Sequence, residues 1–445
     1  MLNDIIVALS TPYGKAGIGV VRMSGKNCLN LATKMFCPLK KVDKYTPNLM
    51  VLGYIDLGET KDLGFLVYFK SPKSYTGEDT VEFQCHGGIA VTNKIIEKVV
   101  SLGARLAQPG EFSKRAFLNG KMSLDQAEGV IDTINAESDS QLRASSQLIS
   151  GKLTKQIAVL QEDLSDLISE IEVSFDYPEE DIEYKTKTHI KEQIIIIKQQ
   201  IEDLLSTSKK GKLIKNGVNI AIVGKTNVGK SSLLNALLGE EQAIVTDIEG
   251  TTRDIVVGSL EYKGYKFNFL DTAGLRQTND KVESIGIEKA KQTINTSDIV
   301  LLVIDASKQL DEADKQNLSL TNNKKRIIVL NKTDLKIEAK LDEKYLTISA
   351  KNNINIEKLK EEIFNLALEG NFENDKIVLT NIRHIDLLEK CEQLIIKILD
   401  NLFDLPLDLV EVDIKDLWSL LGQITGDVNN EKIIDKIFSK FCLGK

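Results

Sequence analysis

Eight consecutive residues, Gly224-Lys225-Thr226-Asn227-Val228-Gly229-Lys230-Ser231, spell G-x-x-x-x-G-K-[ST]. Glycines in such a loop let backbone N–H groups wrap an anion, the lysine adds a cation, and the hydroxyl can ligate a hard divalent ion. The flanks give the match its meaning. The apolar run Val218 to Val223 predicts a strand before it, and Ser232 to Leu238 predict a helix after it. A helix N-terminus at that point favours phosphate through its dipole. Lys230 is expected at the β- and γ-phosphates and Ser231 on Mg²⁺. Asn227, Val228, Gly229 and Ser232 complete the cradle.

Three further motifs follow in order, each after a strand-like run. Asp271-Thr272-Ala273-Gly274 follows Tyr265 to Leu270, Asn331-Lys332-Thr333-Asp334 follows Arg326 to Leu330, and Ser349-Ala350-Lys351 follows Tyr345 to Ile348. Asp271 can hold Mg²⁺ through water, and the Gly274 N–H can meet the γ-phosphate. The Asp334 carboxylate can accept from both N1–H and the exocyclic amine of guanine. Adenine offers neither donor and would leave the carboxylate unpaired, so such a site can discriminate by about 10⁴–10⁵. Together the four motifs predict a site for GTP. Between the first two lies the polar segment Thr246-Asp247-Ile248-Glu249-Gly250-Thr251-Thr252-Arg253-Asp254, in the place of a γ-phosphate sensor. Thr252 or Thr251 is expected to complete the Mg²⁺ shell.

The hydrolytic group is harder to find. Many GTPases place a Gln after the D-x-x-G glycine to orient water, but this chain has Leu275 there. Glu283 is a candidate substitute, with a solvated surface glutamate as the plainer alternative. Arg253 and Arg276 are candidates for an arginine finger, and each reads equally well as a structural ion pair.

These motifs need elements to hold them. At about 150 residues per domain, 445 residues suggest three domains. Residues 1–120 are rich in Gly and β-branched residues, with strand-like runs at Gly19 to Arg22 and Thr80 to Gln84 and a turn at Thr76-Gly77-Glu78-Asp79, and read as a compact α+β domain. From 121 the pattern turns helical. Leu142, Ile149, Leu153, Ile157, Leu160, Leu164, Leu167 and Ile171 share one helix face. A second helix runs through Ile190, Ile194, Ile197, Ile201 and Leu205, with its end marked by Lys209, Lys210 and Gly211. Strands and helices alternate over 216–370, and helical periodicity returns over 371–445. The expected fold class is therefore multidomain. An α+β domain (1–120) precedes a discontinuous all-α domain (121–215 and 371–445), into which an α/β domain (216–370) is inserted.

Composition bounds the function. Hydrophobic residues make up 42% and charged residues 27%, ordinary values for a globular protein. The net charge of −8 argues against bulk electrostatic binding of nucleic acid, so RNA contacts need a local patch or a partner. Five cysteines, Cys28, Cys37, Cys85, Cys391 and Cys442, show no C-x-x-C spacing, and reduced thiols in the cytoplasm fit best. Met1 to Ser10 carry Asp4 and no long apolar core, so no signal peptide is expected, and the apolar run Ile194 to Ile197 is far too short to span a bilayer.

The whole chain, both ends included, resembles the MnmE (TrmE) family of bacterial tRNA-modification GTPases, within the wider class of Era-like P-loop GTPases. The resemblance rests on Thr76-Gly77-Glu78-Asp79, His86-Gly87-Gly88, Pro109-Gly110-Glu111-Phe112, Arg115 to Lys121, Thr246 to Asp254, Asp271 to Arg276 and the ending Phe441-Cys442-Leu443-Gly444-Lys445. The family ending usually has Ile where this chain has Leu443, a swap that keeps the volume. The resemblance implies an N-terminal domain that binds a tetrahydrofolate derivative (the 5,10-methylene or 5-formyl form) and forms a homodimer. It also implies a complex with an FAD-dependent partner, MnmG. Together they would install an aminomethyl or carboxymethylaminomethyl group on carbon 5 of the wobble uridine of certain tRNAs. Carried over residue by residue, Asn227, Thr246, Ile248 and Thr251 match K⁺ ligands. Glu283 matches the glutamate that positions water, and Arg22, Glu82, Lys121 and Lys445 match folate-contacting positions. Cys442 matches a cysteine implicated in the modification chemistry. The competing reading is a ribosome-assembly GTPase gripping rRNA, which would need a GXXG loop or a basic surface.

Overall fold

The computed structural model describes residues 4–175, 180–239, 256–270, 291–368, 377–428 and 431–445, with only the backbone of 180–184. The chain forms two compact units: Met1–Ile134 with Gln147–Ile197 and Lys390–Lys445, and Asn135–Ser146 with Lys198–Glu389.

The first unit begins with a sheet of seven strands: β1 (Ile6–Leu9), β2 (Ile18–Ser24), β3 (Phe36–Pro38), β4 (Met50–Asp56), β5 (Lys61–Phe69), β6 (Thr80–His86) and β7 (Arg105–Leu106). Their order is β3-β4-β5-β6-β2-β1-β7, antiparallel except for the β1–β7 edge. Helices α1 (Cys28–Thr33) and α2 (Ile89–Ser101) share a core with it, and α3 (Glu111–Leu118) follows β7. Strand alternation sends neighbouring side chains to opposite faces. Val21 and Met23 of β2 are buried in that core, while Arg22 between them faces the other way and pairs across the register with Glu82 of β6.

Arg115 of α3 is the hub of this unit, 2% exposed. Its guanidinium donates to the Asp4 carbonyl (3.0 Å) and carboxylate (2.8 Å), to Glu78 (3.1 Å) and to Glu111 (3.0 Å). Arg105 adds a second cation, at 2.5 Å from Asp4. Glu78 belongs to the Thr76-Gly77-Glu78-Asp79 turn and Glu111 to the Pro109-Gly110-Glu111-Phe112 segment. Two motifs noticed in the sequence are thus held together by one buried cation. Burial works to raise the carboxyls of Asp4 and Glu111, but hydrogen bonds from the two arginines outweigh it and hold both below the usual range. The sign follows: this contribution to stability is fully present at neutral pH. It is lost as pH falls through and below the ordinary carboxylate range.

The helices that follow are α4 (Leu124–Ile134), α5 (Asp139–Ile149), α6 (Lys152–Phe175), α7 (Glu180–Ser206) and α8 (Ser208–Asn216). The expected apolar face is correct from Leu153 to Ile171, all buried along α6. It fails at Leu142 and Ile149, which are exposed, because the chain turns at Ser150-Gly151 and α5 is a separate helix. The expected end at Lys209 to Gly211 also fails. The helical path breaks at Thr207 and resumes as α8, which carries those residues inside it. Gly211 is there because backbone approaches backbone: a Cβ would run into the Leu379 carbonyl.

The second unit contains β8 (Val218–Val223), α9 (Lys230–Leu238), β9 (Val256–Tyr262), β10 (Tyr265–Leu270), β11 (Ile299–Asp305), α10 (Glu312–Leu320), β12 (Arg326–Asn331), β13 (Tyr345–Thr347) and α11 (Ile356–Leu368). The strand order is β13-β12-β11-β8-β10-β9, parallel except for the β9–β10 hairpin. Parallel strands covered on both faces read as continuous apolar runs, and all seven residues of β11 are buried. The segment 135–146 joins this unit through the Ser140 N–H, which donates to the Gly264 carbonyl (2.8 Å). Helices α12 (Ile382–Asn401), α13 (Leu407–Thr425) and α14 (Glu431–Phe438) complete the chain, with α13 packed along α6 in the first unit. Among the described residues no helix is long and apolar enough to cross a membrane.

Replacing Arg115 with alanine removes a cation from three carboxylates, two of them largely buried. Breaking such a buried pair from one side costs about 3–5 kcal/mol. Urea unfolding followed by the fluorescence of Trp418, the single tryptophan, is expected to show a loss of this size for Arg115→Ala. A loss below about 1 kcal/mol, the value of an exposed pair, would contradict the hub role.

Candidate functional site

The G-x-x-x-x-G-K-[ST] loop leaves the C-terminal end of β8, which lies between β11 and β10. Ligands bind α/β sheets at such crevices beyond the carboxyl ends of the strands. Asn227 (φ 64°) and Gly229 (φ 97°) take left-handed backbone conformations that bend the loop back onto the start of α9. At Gly229 a Cβ would also collide with the Asn331 amide. Helix α9 has no acidic residue in its first turn, and Ser231 and Ser232 are accessible there. The helix end is therefore open to an anion. The Lys230 ammonium lies inside the curve of the loop, donating to the carbonyls of Gly224 (2.7 Å) and Lys225 (2.5 Å).

One buried side chain ties this loop to the base-reading motifs. Asn331, 2% exposed at the end of β12, donates through Nδ2 to the Val228 carbonyl (2.9 Å) and accepts at Oδ1 from the Ala350 N–H (3.0 Å). Lys332 (φ 66°) adds a second tie, from its ammonium to the Asn227 carbonyl (2.8 Å) and to Asp305 (2.6 Å). Burial acts to raise the Asp305 carboxyl, but the bonds from Lys332 and Ser307 prevail and hold it low. A third tie runs from Lys225 to Asp311 and Asp314 at the capped start of α10, 2.7 Å each.

Asp334 stands beside these ties. It accepts from the buried Ser349 hydroxyl (2.6 Å), and that bond is the main reason its carboxyl is held below the usual range. At neutral pH it is an acceptor-only group, the state that guanine's two adjacent donors require. The structure thus brings together Asn227 to Ser232, Asn331, Lys332, Asp334, Ser349 and Ala350, with Lys351 following. Thr246, Asp247, Ile248, Glu249, Gly250, Thr251, Thr252, Arg253, Asp271, Thr272, Ala273, Gly274, Leu275, Arg276 and Glu283 lie outside the described residues.

The sequence reading missed Asp305 and the tie through Lys225. Asp305 had a signal: it ends the apolar run Ile299 to Ile304, the same strand-end position that the recognised motifs occupy. The Lys225 contact had none, because its partners are more than eighty residues away.

A second cluster lies in the first unit. Arg22 bonds Glu82 (2.8 Å), and its guanidinium stands over the rings of Tyr75 (5.5 Å) and Phe112 (5.8 Å). The chain's end packs here: Phe438 and Phe441 are buried, and the Ser10 hydroxyl donates to the Gly444 carbonyl (3.1 Å). Burial, and then repulsion from Arg22, push the Lys445 ammonium below its ordinary value. Cations that repel one another favour an anion nearby. Lys121 donates to the Pro72 carbonyl (3.1 Å), on the segment that carries Tyr75. Cys442 is exposed. Among the described residues no group of three His, Cys, Asp or Glu could hold a metal ion.

Two family models match the chain: "GTP-binding protein TrmE N-terminus" over residues 5–121 and "MnmE helical domain" over residues 124–442. Among curated proteins, the tRNA modification GTPase MnmE of Clostridioides difficile (strain 630) is 42% identical over 457 residues, covering 100% of both chains. That of Levilactobacillus brevis is 41% identical, covering 99% of this chain and 98% of its own. That of Streptococcus pneumoniae (strain Hungary19A-6) is 42% identical, covering 99% of each.

Asn331→Ala leaves the Val228 carbonyl and the Ala350 N–H without this partner. A buried group so orphaned costs about 1–3 kcal/mol, and the part of it spent on restoring the loop for ligand weakens affinity by up to about 5- to 150-fold. Calorimetry with GTP is expected to show a weakening in that range. Wild-type affinity in the variant would contradict the tie.

Proposed function

Because this chain belongs to the MnmE family of tRNA modification GTPases, we propose that it binds and hydrolyses GTP in the course of modifying the wobble uridine of certain tRNAs. The observation that carries the GTP part is the Asp334 carboxylate, oriented by Ser349 and joined through Asn331 to the phosphate loop. Asp334 accepts two hydrogen bonds from guanine. The Val228, Gly229 and Lys230 N–H groups and the Lys230 ammonium hold the phosphates. Lys230 exchanges the carbonyls of Gly224 and Lys225 for the β- and γ-phosphates.

Ser231 and Thr252 would hold Mg²⁺, with Asp271 behind a water. Accessible at the open end of α9, Ser231 fits that role. Asn227, exposed at the tip of the loop, would hold K⁺ together with Thr246, Ile248 and Thr251. The cation supplies the charge that an arginine finger supplies elsewhere, worth about 10³–10⁵ in rate. Glu283 positions the attacking water, and Arg276 is a further candidate at the phosphates.

The first unit would bind a tetrahydrofolate derivative, which supplies a one-carbon group. Arg22 and Lys445, crowded together, suit its anionic tail. Glu82, paired with Arg22, would accept from adjacent N–H donors of a pterin, with Lys121 on the neighbouring loop. Cys442, exposed near Lys445, is available to the modification step. The chain would act in the cytoplasm as a homodimer with the FAD-dependent partner MnmG. An exposed apolar sheet face supports the dimer. Tyr54 and Leu52 of β4 stand opposite Leu63 and Phe65 of β5, with Met50 at the end, and faces of this kind mark interaction sites. Residues 1–120, 121–215 with 371–445, and 216–370 are read as the folate-binding, helical and GTPase domains.

The test exchanges the base. Asp334→Asn offers a donor where guanine also offers donors, so it is expected to lose GTP and to bind and hydrolyse xanthosine triphosphate. In the wild type, replacing K⁺ with Na⁺ is expected to slow hydrolysis while leaving GTP affinity nearly intact. An Asp334→Asn protein that hydrolyses GTP as the wild type does would sink the base-pocket assignment. Equal turnover in the two salts would remove K⁺ from the mechanism.

A further inference from the structure

The chain is acidic overall, but its charge is unevenly placed. Residues 204–239 contain six lysines (Lys209, Lys210, Lys212, Lys215, Lys225 and Lys230) and no aspartate or glutamate. Lys225 and Lys230 belong to the nucleotide loop. Lys209, Lys210 and Lys212 sit on α8, away from that chemistry, and the mechanism does not use them.

In the second unit these three lysines and Lys325, which precedes β12, line a cleft of about 860 Å³. Its floor is apolar, with Leu213, Val218, Ile299 and Leu368. One carboxylate, Asp298, is also in the lining, and it accepts from the Asn219 N–H (2.8 Å). Lys209, Lys212 and Lys325 are exposed and Lys210 is half-buried. Among the described lining residues four lysines stand with one carboxylate, and the exposed pair Lys209 and Lys212 gives this part of an otherwise acidic chain a positive field that favours an anionic partner.

The lining indicates what kind of anion. Among its described residues there is no aromatic ring on which a base could stack and no arginine to form a planar fork. A site that reads a nucleobase uses such groups. Ammonium groups on flexible stems are point charges, suited to phosphates whatever their sequence. We propose that this lysine-lined cleft of the second unit grips the sugar-phosphate backbone of tRNA, holding it without reading its bases. The proposal rests on the reading of this chain as a tRNA-modifying protein, and it names a surface on the protein for that substrate. It also answers how an acidic chain can contact RNA: through one basic recess and not through its overall charge.

The experiment measures equilibrium binding of a labelled tRNA transcript to the full-length protein at a series of KCl concentrations, with Mg²⁺ and GTP fixed. Removing one lysine from a phosphate lowers the slope of log K against log salt by about 1. The Lys209→Gln/Lys212→Gln protein is expected to show a slope shallower by about 2, a similar weakening for unrelated tRNAs, and unchanged GTP affinity. The control, Lys40→Gln/Lys41→Gln, removes two lysines of the first unit and is expected to keep the wild-type slope. A cleft variant with the wild-type slope, or a control whose slope falls as much, overturns the proposal while leaving the tRNA reading standing. A wild-type protein that does not bind tRNA at any salt contradicts the tRNA reading itself, and the cleft assignment goes with it.

Discussion

The side-chain amide of Asn331, buried at the end of β12, makes two hydrogen bonds on which the nucleotide site depends. One holds the Val228 carbonyl of the phosphate loop and the other the Ala350 N–H beside Ser349. The group that orients Asp334 and the loop that wraps the phosphates are therefore referenced to one rigid strand end. Preorganisation of this kind lets binding energy go into the ligand and not into ordering the loops. Lys332 works alongside, since its ammonium bridges Asn227 and Asp305. Burial of all of β11 and of Ile328 to Asn331 in β12 keeps Asp305 and Asn331 in register.

The first unit is organised by a charged counterpart of that tie: a buried cation collects carboxylates from separate segments. Arg115 draws Asp4, Glu78 and Glu111 together. The segment carrying Tyr75 and the helix carrying Phe112 are thereby both set against Arg22. The last residues of the chain close on the same place, because Phe438 and Phe441 bury themselves against α4 and leave Lys445 near Arg22. That geometry gathers cationic residues from both ends of the sequence within one unit.

Much of the local structure around the phosphate loop was legible in the sequence. The strand before the phosphate loop, the helix after it, the strand end that carries Asn331 and the short strand just before Ser349 all follow from short apolar runs and turn chemistry. The pairing of Arg22 with the chain's end was not legible from spacing, because some four hundred residues separate them; only the family resemblance suggested it. The helix errors have a local cause. Leu142 and Ile149 continue the period of α6, but Ser150-Gly151 interrupts the backbone, and a periodic pattern does not register such a break. Lys209 to Gly211 look like a helix end by composition. There, a tertiary contact with Leu379 explains the glycine, and no sequence window contains that contact.

If GTP binding at this site serves the modification of tRNA, the tRNA itself carries the readout. Mass spectrometry of tRNA nucleosides, in a strain of the source organism that lacks this protein, measures it. The 5-aminomethyl or 5-carboxymethylaminomethyl groups are expected to disappear from wobble uridines and to return with the wild-type chain. A deletion strain whose wobble uridines keep their full modification would contradict the role in tRNA modification.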